Sequence, residues 1–239
     1  GNNKTDDDIQ FAISHKVGCF VCDNREELEV INRIACEHNI KQRILIRVTP
    51  GIDPHTHAKI NTGRVDSKFG AAIETHQAED LTSFALRLDN IDLLGFHCHI
   101  GSQIFDFEPF ADAARIMLNY IADIKNTIGF SARYLNLGGG MGVPYVAKDP
   151  VIDYAQNIQK IGQLIDETCR QLNLEAPVIL MEPGRSIVAD AGITLYTVTN
   201  VKEIPGFKTF VSVDGGMADN PRYTLYQSEY TILPANRMQ

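Results

Sequence analysis

The sequence predicts an α/β fold, namely an incomplete (β/α)8 TIM barrel of about five βα units followed by the start of a β-rich C-terminal domain. Three observations lead to this prediction. Short apolar runs alternate with amphipathic stretches, polar residues or glycines follow nearly every apolar run, and the alternation ends near residue 189. We therefore expect a partial barrel domain over residues 1–188 and a partial β domain over residues 189–239.

Five short runs rich in β-branched or aromatic residues are typical of buried parallel strands. The runs are Val17–Cys22, Ile44–Val48, Ile91–Ile100, Arg133–Leu137 and Val178–Met181. Between them apolar residues recur at helical spacing, as at Leu28, Ile31 and Ile34. Because parallel strands need crossover connections, which are usually helices, this alternation indicates an α/β sheet.

A doubly wound sheet and a (β/α)8 barrel both fit the alternation, and the residues after the strands favour the barrel. Chemically rich residues stand at four carboxyl ends: Arg47 and Pro50, residues 97–103, Gly138–Gly140 and residues 182–185. A barrel collects such ends around one mouth, whereas an open sheet spreads them along an edge. Only five strands can be counted, and closure needs eight, so we expect the barrel to be incomplete.

The segment after residue 189 has the pattern of a β domain. Thr194–Val201, Phe207–Val213 and Tyr223–Ile232 are rich in Thr, Val and Tyr and are predicted to be extended, without a helix between them. Pro205 and Gly206 predict a turn between the first two.

Composition excludes several classes of partner. The 239 residues carry 22 Lys and Arg against 30 Asp and Glu, a formal net charge of −8, which argues against a nucleic-acid partner. No apolar stretch reaches the roughly 20 residues that span a bilayer, so no membrane association is expected. The first residues show no leader, and the five cysteines are odd in number and scattered, which together predict a cytoplasmic protein. Cys19 and Cys22 could form a redox pair or half a zinc site, but they lie in an apolar run and are interpreted as packed thiols.

The segment Asn136–Gly142 follows a predicted strand and contains four glycines in five positions. Consecutive glycines let backbone N–H groups converge on an anion, usually a phosphate. The spacing matches neither G-x-G-x-x-G nor G-x-x-x-x-G-K-[ST]. A flexible turn is the alternative, but so many glycines favour a phosphate site at Gly138, Gly139 and Gly140.

The segment Phe96–Gln103 offers a second set of polar groups. His97 and His99 are two residues apart and so share a strand face. They could form a metal pair with Glu182 or with His55 and His57, or one imidazole could lie against a flat ligand, or both could be structural. The Ser102 hydroxyl nearby suits a phosphate better than a metal.

Glu182 and Arg185 close the last barrel strand, and Arg222 and Tyr226 follow in the β-rich segment. Glu182 could hold a proton on a heteroaromatic nitrogen while Arg185 binds an anion. Two arginines directed at one cavity imply a substrate with more than one anionic group. Together these motifs describe a phosphorylated, flat, nitrogen-containing cofactor and a carboxylated substrate, and pyridoxal 5'-phosphate fits each requirement.

Four segments, in order, resemble those of the diaminopimelate decarboxylase family, alanine-racemase-like (fold-type III) pyridoxal-phosphate enzymes. They are His97–Gln103, Asn136–Gly142, Glu182–Arg185 and Asp214–Tyr226, and the resemblance runs through essentially the whole chain. It implies decarboxylation of meso-2,6-diaminopimelate to L-lysine and CO2, a step of lysine biosynthesis, by a homodimer.

The resemblance also implies a role for each matching residue. His99 lies against the cofactor ring, Glu182 pairs with the pyridinium nitrogen, and Ser102 with Gly138, Gly139 and Gly140 holds the phosphate. Gly184 and Arg185 line the phosphate side, and Arg185 also faces the substrate. Arg222 and Tyr226 bind the far carboxylate, and Arg47 supports the barrel mouth near His99. The family usually has proline where Tyr223 stands.

Two family features are missing from the sequence. The family forms a Schiff base through a lysine in a pattern like Y-A-x-K-A-N, and a late C-E-S-G-D segment reaches the neighbouring subunit. The five countable strands match the family's fourth to eighth. We therefore expect a fragment that lacks both ends and is inactive by itself, with the activity belonging to the whole enzyme.

Three other functions remain as alternatives. The first is a related decarboxylase acting on ornithine, arginine or carboxynorspermidine, and the second is a metal-dependent TIM-barrel hydrolase using His97 and His99. The third is a non-catalytic relative that binds the cofactor or regulates a partner.

Overall fold

The protein is described by a computed structural model that covers residues 1–52 and 67–236. The chain forms two compact units. Of the described residues, the first contains 1–52, 67–142 and 152–184, and the second contains 143–151 and 185–236. The sequence predicts a different kind of boundary, between two domains of the whole protein at residues 188 and 189. That boundary stays a prediction.

Helices and strands alternate through the first unit. Its helices are α1 (Asp6–Ser14), α2 (Arg25–Glu37), α3 (Gln77–Ala85), α4 (Glu108–Ile128) and α5 (Tyr154–Gln171). Its strands are β1 (Phe20–Cys22), β2 (Gln42–Thr49), β3 (Ala71–Ala72), β4 (Ile91–His97), β5 (Tyr134–Asn136) and β6 (Val178–Leu180). The five predicted strands are present; β2 is longer than its predicted run at both ends, and the other four are shorter.

The sheet supports the barrel interpretation. All its strand pairs are parallel, and the order is β1-β2-β4-β5-β6, with β3 paired to β2 beside this path. A doubly wound sheet reverses its strand order at a switch point, whereas barrel strands follow one another around the ring. The unbroken chain order therefore confirms the predicted α/β fold with part of a TIM barrel.

Local sequence explains where the helices begin and end. The Asn24 side chain accepts a hydrogen bond from the Glu27 N–H at the start of α2, and Asp153 caps α5 in the same way. Gly129 ends α4 in the left-handed conformation that glycine adopts most easily. Helix α1 begins with a capping box of Thr5 and Asp8, which is a short-range signal for a helix that the apolar pattern did not reveal.

The hydrophobic core lies where β2 and β4 pack against the helices. Ile44, Ile46 and Phe96 are completely buried, as are Met117 and Leu118 of α4. Both strands are mostly apolar on the two faces, as expected for strands in the middle of a parallel sheet. This core fixes the positions of the strand ends that carry the polar residues.

A β-bulge in β4 depends on Gly95. The register with β2 shifts between Ile44 and Leu45, so that Leu45 pairs with Gly95. Gly95 has a φ of +154°, and a Cβ built on it would lie 1.9 Å from the Tyr134 carbonyl oxygen of β5. Only glycine allows β4 and β5 to approach each other this closely.

The second unit is built around an antiparallel hairpin, and it corrects one prediction. Strands β7 (Val198–Ile204) and β8 (Lys208–Val213) pair across the predicted turn at Pro205 and Gly206. Helix α6 (Arg185–Val188) and a short 3-10 turn (Ala189–Ala191) precede the hairpin.

The prediction of an extended segment at Tyr223–Ile232 is wrong. Residues Arg222–Tyr226 form the short helix α7, and no strand is assigned over residues 227–232. Pro221, whose fixed φ suits a helix start, precedes α7, and this local signal outweighs the β propensity of Tyr and Thr.

Within the described ranges 1–52 and 67–236, none of the helices combines the length and the apolar character needed to cross a bilayer.

The close approach at Gly95 can be tested by substitution. Gly95→Ala adds a methyl group against the Tyr134 carbonyl, and we expect unfolding free energy to fall by at least the roughly 1–3 kcal/mol typical of overpacking. The matched control is Gly162→Ala, because Gly162 lies on the exposed face of α5 with nothing near its Cβ position. That variant is expected to be neutral or to gain about 0.5–1 kcal/mol. Denaturant unfolding of both variants measures the difference, and equal stabilities would contradict the proposed constraint.

Candidate active site

Sheet register brings the polar strand ends of the first unit into one row. Arg47 of β2 pairs with His97 of β4, His97 pairs with Asn136 of β5, and Asn136 pairs with Leu180 of β6. Glu182 follows two residues after Leu180, and its backbone N–H donates to the Gly138 carbonyl at 2.8 Å. The sheet thus gathers polar side chains from four neighbouring strands at its carboxyl edge, as predicted for a barrel mouth.

The Glu182 carboxylate is held by two neighbours in this row. Asn136 Nδ2 donates to Oε1 at 2.9 Å, and His97 Nε2 lies 3.4 Å from the same oxygen. The His97 contact is the largest cause that lowers the pKa of Glu182 to about 2, with help from Asn136 and His99, although partial burial opposes the shift. The side chain remains half exposed. Glu182 therefore offers an ionised carboxylate to a cationic group at the mouth.

His99 lies just past the end of β4 and is held as a neutral ring. Its Nδ1 accepts a hydrogen bond from the Gly139 N–H at 3.3 Å, which places the ring proton on Nε2. Burial, above all, and the nearby positive charge of Arg47 lower the pKa of His99 to about 4, and Glu182 opposes them. A neutral imidazole can lie against a cationic aromatic ring without repulsion.

The glycine segment holds neighbouring strand-end loops close together. A Cβ on Gly138 would lie 2.6 Å from the Cys98 carbonyl oxygen, one on Gly139 would lie 2.1 Å from that of Glu182, and one on Gly140 would lie 2.2 Å from that of Gly101. Gly138 and Gly140 also have positive φ angles of +69° and +113°. These glycines are therefore required by backbone contacts, which a merely flexible turn would not explain.

Two of the glycine amides have partners inside the protein. The Gly138 N–H donates to Asn136 Oδ1 at 2.8 Å, and the Gly139 N–H donates to His99 Nδ1. These two amides are therefore used inside the protein, and the expectation that glycine amides of this segment converge on an anion stays a prediction. Their hydrogen bonds also orient Asn136 and His99, which both contribute to the surroundings of Glu182.

Ser102 lies in the loop that packs beside this segment. The Ile104 N–H donates to the Gly140 carbonyl at 3.0 Å, and the Gly142 N–H donates back to the Ile104 carbonyl at 2.9 Å. With the contact between Gly140 and Gly101, these bonds fix the Ser102 loop against the glycine segment. The predicted phosphate-binding residues of the first unit are thus neighbours, and Gly184, whose N–H donates to the Glu182 carbonyl at 2.9 Å, continues the same group.

The remaining predicted residues lie in the second unit and form two local pairs. Arg185 Nη1 donates to the Tyr145 hydroxyl at 2.7 Å. The Arg222 guanidinium lies 5.4 Å from the centre of the Tyr226 ring, one helical turn along α7. Sequence reasoning missed Tyr145. The available signal is its position, because Tyr145 follows the glycine segment by three residues.

The metal alternative finds no support in the described part of the chain. Over residues 1–52 and 67–236, no group of three or more His, Cys, Asp or Glu side chains could hold an ion. His97 contacts Glu182, and His99 contacts Gly139. Strand β4 ends at His97, so the strand-face argument for pairing the two histidines does not extend to His99. His55 and His57, named as further ligands, lie outside the described residues.

The low pKa of His99 can be measured by titration. Because its pKa in the folded protein lies below that of an ordinary histidine, the unfolded chain binds the extra proton between about pH 6.5 and 4. The contribution of His99 to stability is therefore present above this window and is lost as the pH falls through it. We expect ¹⁵N NMR of the imidazole to show a neutral His99 ring at pH 6.

The role of the Arg47 charge can be separated in the same titration. Arg47→Met should raise the pKa of His99, because it removes a positive charge that disfavours protonation. Arg43→Met is the control, since Arg43 lies exposed near the opposite end of β2. An unchanged His99 titration in Arg47→Met would refute this electrostatic account.

Comparison with known proteins places the chain in a family. Residues 1–189 match the family model described as "Pyridoxal-dependent decarboxylase, pyridoxal binding domain". The chain is 43% identical over 237 residues to the diaminopimelate decarboxylase of Bacillus methanolicus, covering 99% of this chain and 55% of that protein. It is 41% identical over 238 residues to that of Bacillus subtilis, covering 100% of this chain and 54% of that protein. The chain thus spans about half the length of these curated relatives.

Solved structures give the same answer. The diaminopimelate decarboxylase of M. jannaschii in complex with L-lysine matches with a TM-score of 0.83 at 33% identity, over 97% of this chain and 52% of that one. The Helicobacter pylori enzyme, also complexed with L-lysine, matches with a TM-score of 0.80 at 33% identity, over 97% and 55% of the two chains. Since the family model covers most of the sequence, the chain belongs to the pyridoxal-dependent decarboxylases.

Proposed function

We propose that the whole protein binds pyridoxal 5'-phosphate and decarboxylates meso-2,6-diaminopimelate to L-lysine and CO2. One observation carries the proposal: an ionised Glu182 carboxylate and a neutral His99 ring lie together beside a glycine segment at the carboxyl edge of a barrel-type sheet. This combination suits a ring whose nitrogen must stay protonated. The similarity to diaminopimelate decarboxylases, two of them solved with L-lysine, supports the substrate.

Glu182 and His99 would bind the ring of the cofactor. Both described contacts to the Glu182 carboxylate involve Oε1, so Oε2 is the oxygen that would accept a hydrogen bond from the pyridine N–H. The uncharged His99 ring would pack against the ring face. When bound, the cofactor supplies an electron sink for the pair of electrons released as the substrate carboxylate leaves as CO2. The task of Glu182 is to keep the ring nitrogen protonated.

The phosphate would lie against the glycine segment and its neighbours. Ser102 supplies a hydroxyl, and Gly138, Gly139 and Gly140 supply a surface without side chains. Because the amides of Gly138 and Gly139 already have partners, we assign the main polar contacts to Ser102 and to the loop around Gly140. Gly184 and Arg185 are proposed for the other side of the phosphate.

The substrate would be bound by its charged groups. We assign the carboxylate near the reacting carbon to Arg185, which Tyr145 orients by a hydrogen bond. We assign the distant carboxylate to Arg222 and Tyr226, which already contact each other on α7. Diaminopimelate has two amino-acid head groups, so a second arginine has a reason to be present that ornithine would not provide.

The remaining parts of the proposal concern the whole protein. The chain contains no lysine in the Y-A-x-K-A-N pattern, and we propose that the cofactor-anchoring lysine lies elsewhere in the whole protein. We further propose that the protein acts as a homodimer in the cytoplasm, that residues 1–188 belong to the cofactor domain, and that residues 189–239 begin a β domain.

The role of Glu182 can be tested in the whole protein with Glu182→Gln. Gln keeps the shape of the side chain but loses its negative charge, so the ring nitrogen is no longer held protonated. We expect kcat for meso-diaminopimelate to fall by about 10²-fold or more, as when a preorganised charge is removed from other active sites. The control is Glu175→Gln, since Glu175 is exposed near the opposite end of β6. CO2 release measures the rate, and a fully active Glu182→Gln would refute the assignment.

The choice of substrate can be tested with Arg222→Met. We expect KM for meso-diaminopimelate to rise by about 10-fold or more, because one charged contact to the far carboxylate is lost. The exposed Lys202→Met on β7 is the control for removing a positive charge from the second unit. If the wild-type protein prefers ornithine, arginine or carboxynorspermidine in direct competition, the related decarboxylase is the correct function.

A further inference from the structure

His97 is a buried histidine beside the proposed cofactor site. It is only 4% exposed, and it sits at the last position of β4 between Arg47 and Asn136 in the strand register. Its Nδ1 is buried and makes no hydrogen bond within the described residues. Burying an imidazole with an unsatisfied nitrogen is costly, so its presence calls for a compensating interaction.

The position of Glu182 determines the tautomer of this imidazole. An ionised carboxylate can only accept hydrogen bonds, so the His97 nitrogen that faces Oε1, Nε2, must carry the proton. In the neutral form of the ring, Nδ1 is then the acceptor nitrogen, and leaving an acceptor without a partner avoids the burial of an unsatisfied N–H. The 3.4 Å contact is longer than an ordinary N–H···O bond, so its geometry is that of a weak one.

Asn136 approaches the same oxygen in an orientation that is fixed by the backbone. Its Oδ1 accepts from the Gly138 N–H at 2.8 Å, so its Nδ2 must be the atom directed at Glu182. The Glu182 backbone is also fixed, because its N–H donates to the Gly138 carbonyl. His97 and Asn136 are paired across β4 and β5, so both donors reach Oε1 from one rigid sheet.

We propose that His97 is a positioning residue, which together with Asn136 holds Oε1 of Glu182 so that Oε2 is directed at the ring nitrogen of the cofactor. This inference rests on the proposed function, since it concerns the same carboxylate. Two donors on one oxygen restrict rotation of the carboxylate and lower its affinity for a proton. Both effects would favour a protonated ring nitrogen when the cofactor is bound.

The main test uses the whole protein loaded with pyridoxal phosphate that is ¹⁵N-labelled at the ring nitrogen. His97→Leu removes the donor, and His97→Gln is the conservative variant, because its side-chain amide can donate from about the position of Nε2. At pH 7.5 we expect the ¹⁵N shift of a protonated ring in the wild type and in His97→Gln. His97→Leu should shift towards the unprotonated ring and bind the cofactor about 10-fold more weakly.

A buried hydroxyl elsewhere in the first unit provides a matched control. Tyr120→Phe removes a buried hydroxyl of α4 whose hydrogen-bond partner is Thr82, so it should leave the ring signal unchanged. If His97→Leu keeps both the wild-type ring signal and the wild-type cofactor affinity, the inference is overturned. If the wild-type protein does not bind pyridoxal phosphate at all, the proposed function fails instead.

A second measurement avoids destabilised variants. In the wild-type protein, ¹⁵N NMR of the His97 ring should show a protonated Nε2 and an unprotonated Nδ1, and the Nε2–H signal should move in Glu182→Gln. A His97 ring protonated on Nδ1 instead, or an Nε2–H signal that Glu182→Gln leaves unchanged, would overturn the inference even if His97→Leu does not fold.

Discussion

The close contact between the glycine segment and the loop after β6 is the constraint on which the site depends. A Cβ on Gly139 would overlap the Glu182 carbonyl oxygen, while the Gly138 carbonyl accepts the Glu182 N–H. These contacts place Glu182 against the ends of β4 and β5. Without them, the carboxylate could not reach Asn136 and His97, and the electrostatics of the mouth would change.

Two titratable groups at this mouth, Glu182 and His99, both have lowered pKa values, and the shifts give them different charges at neutral pH. The pKa of Glu182 is lowered to about 2, chiefly by the contact with His97, and that of His99 is lowered to about 4, chiefly by burial. At neutral pH the pair is therefore a carboxylate and an uncharged ring. The carboxylate has an affinity for one N–H cation, and the ring adds contact area without adding positive charge. On the proposed function, these two charge states are complementary to a protonated heteroaromatic ring.

Much of this could be predicted from the sequence, because it depends on short-range patterns. Apolar runs located the five strands, and the residues after them identified Glu182, His99 and the glycine segment. What the sequence could not supply was pairing between strands. The contact of His97 with Glu182 depends on the register of β4, β5 and β6, so the pattern H-x-H alone leaves a metal pair, a ring contact and a structural role open. Likewise the glycine pattern predicts a phosphate site, but the pattern does not reveal that neighbouring backbone leaves no room for side chains at these positions.

The wrong prediction at Tyr223–Ile232 has a different cause, since two local signals compete there. At Tyr223–Ile232 the aromatic and β-branched residues favoured a strand, yet Pro221 and the helical spacing of Arg222 and Tyr226 favoured a helix. The helix has a consequence for function, because it brings the guanidinium over the aromatic ring, whereas in a strand residues four apart lie roughly 13 Å apart along the chain. An arginine stacked on a tyrosine is held in a defined direction before any anion arrives. On the proposed function, that preorganisation is how a distant carboxylate would be selected.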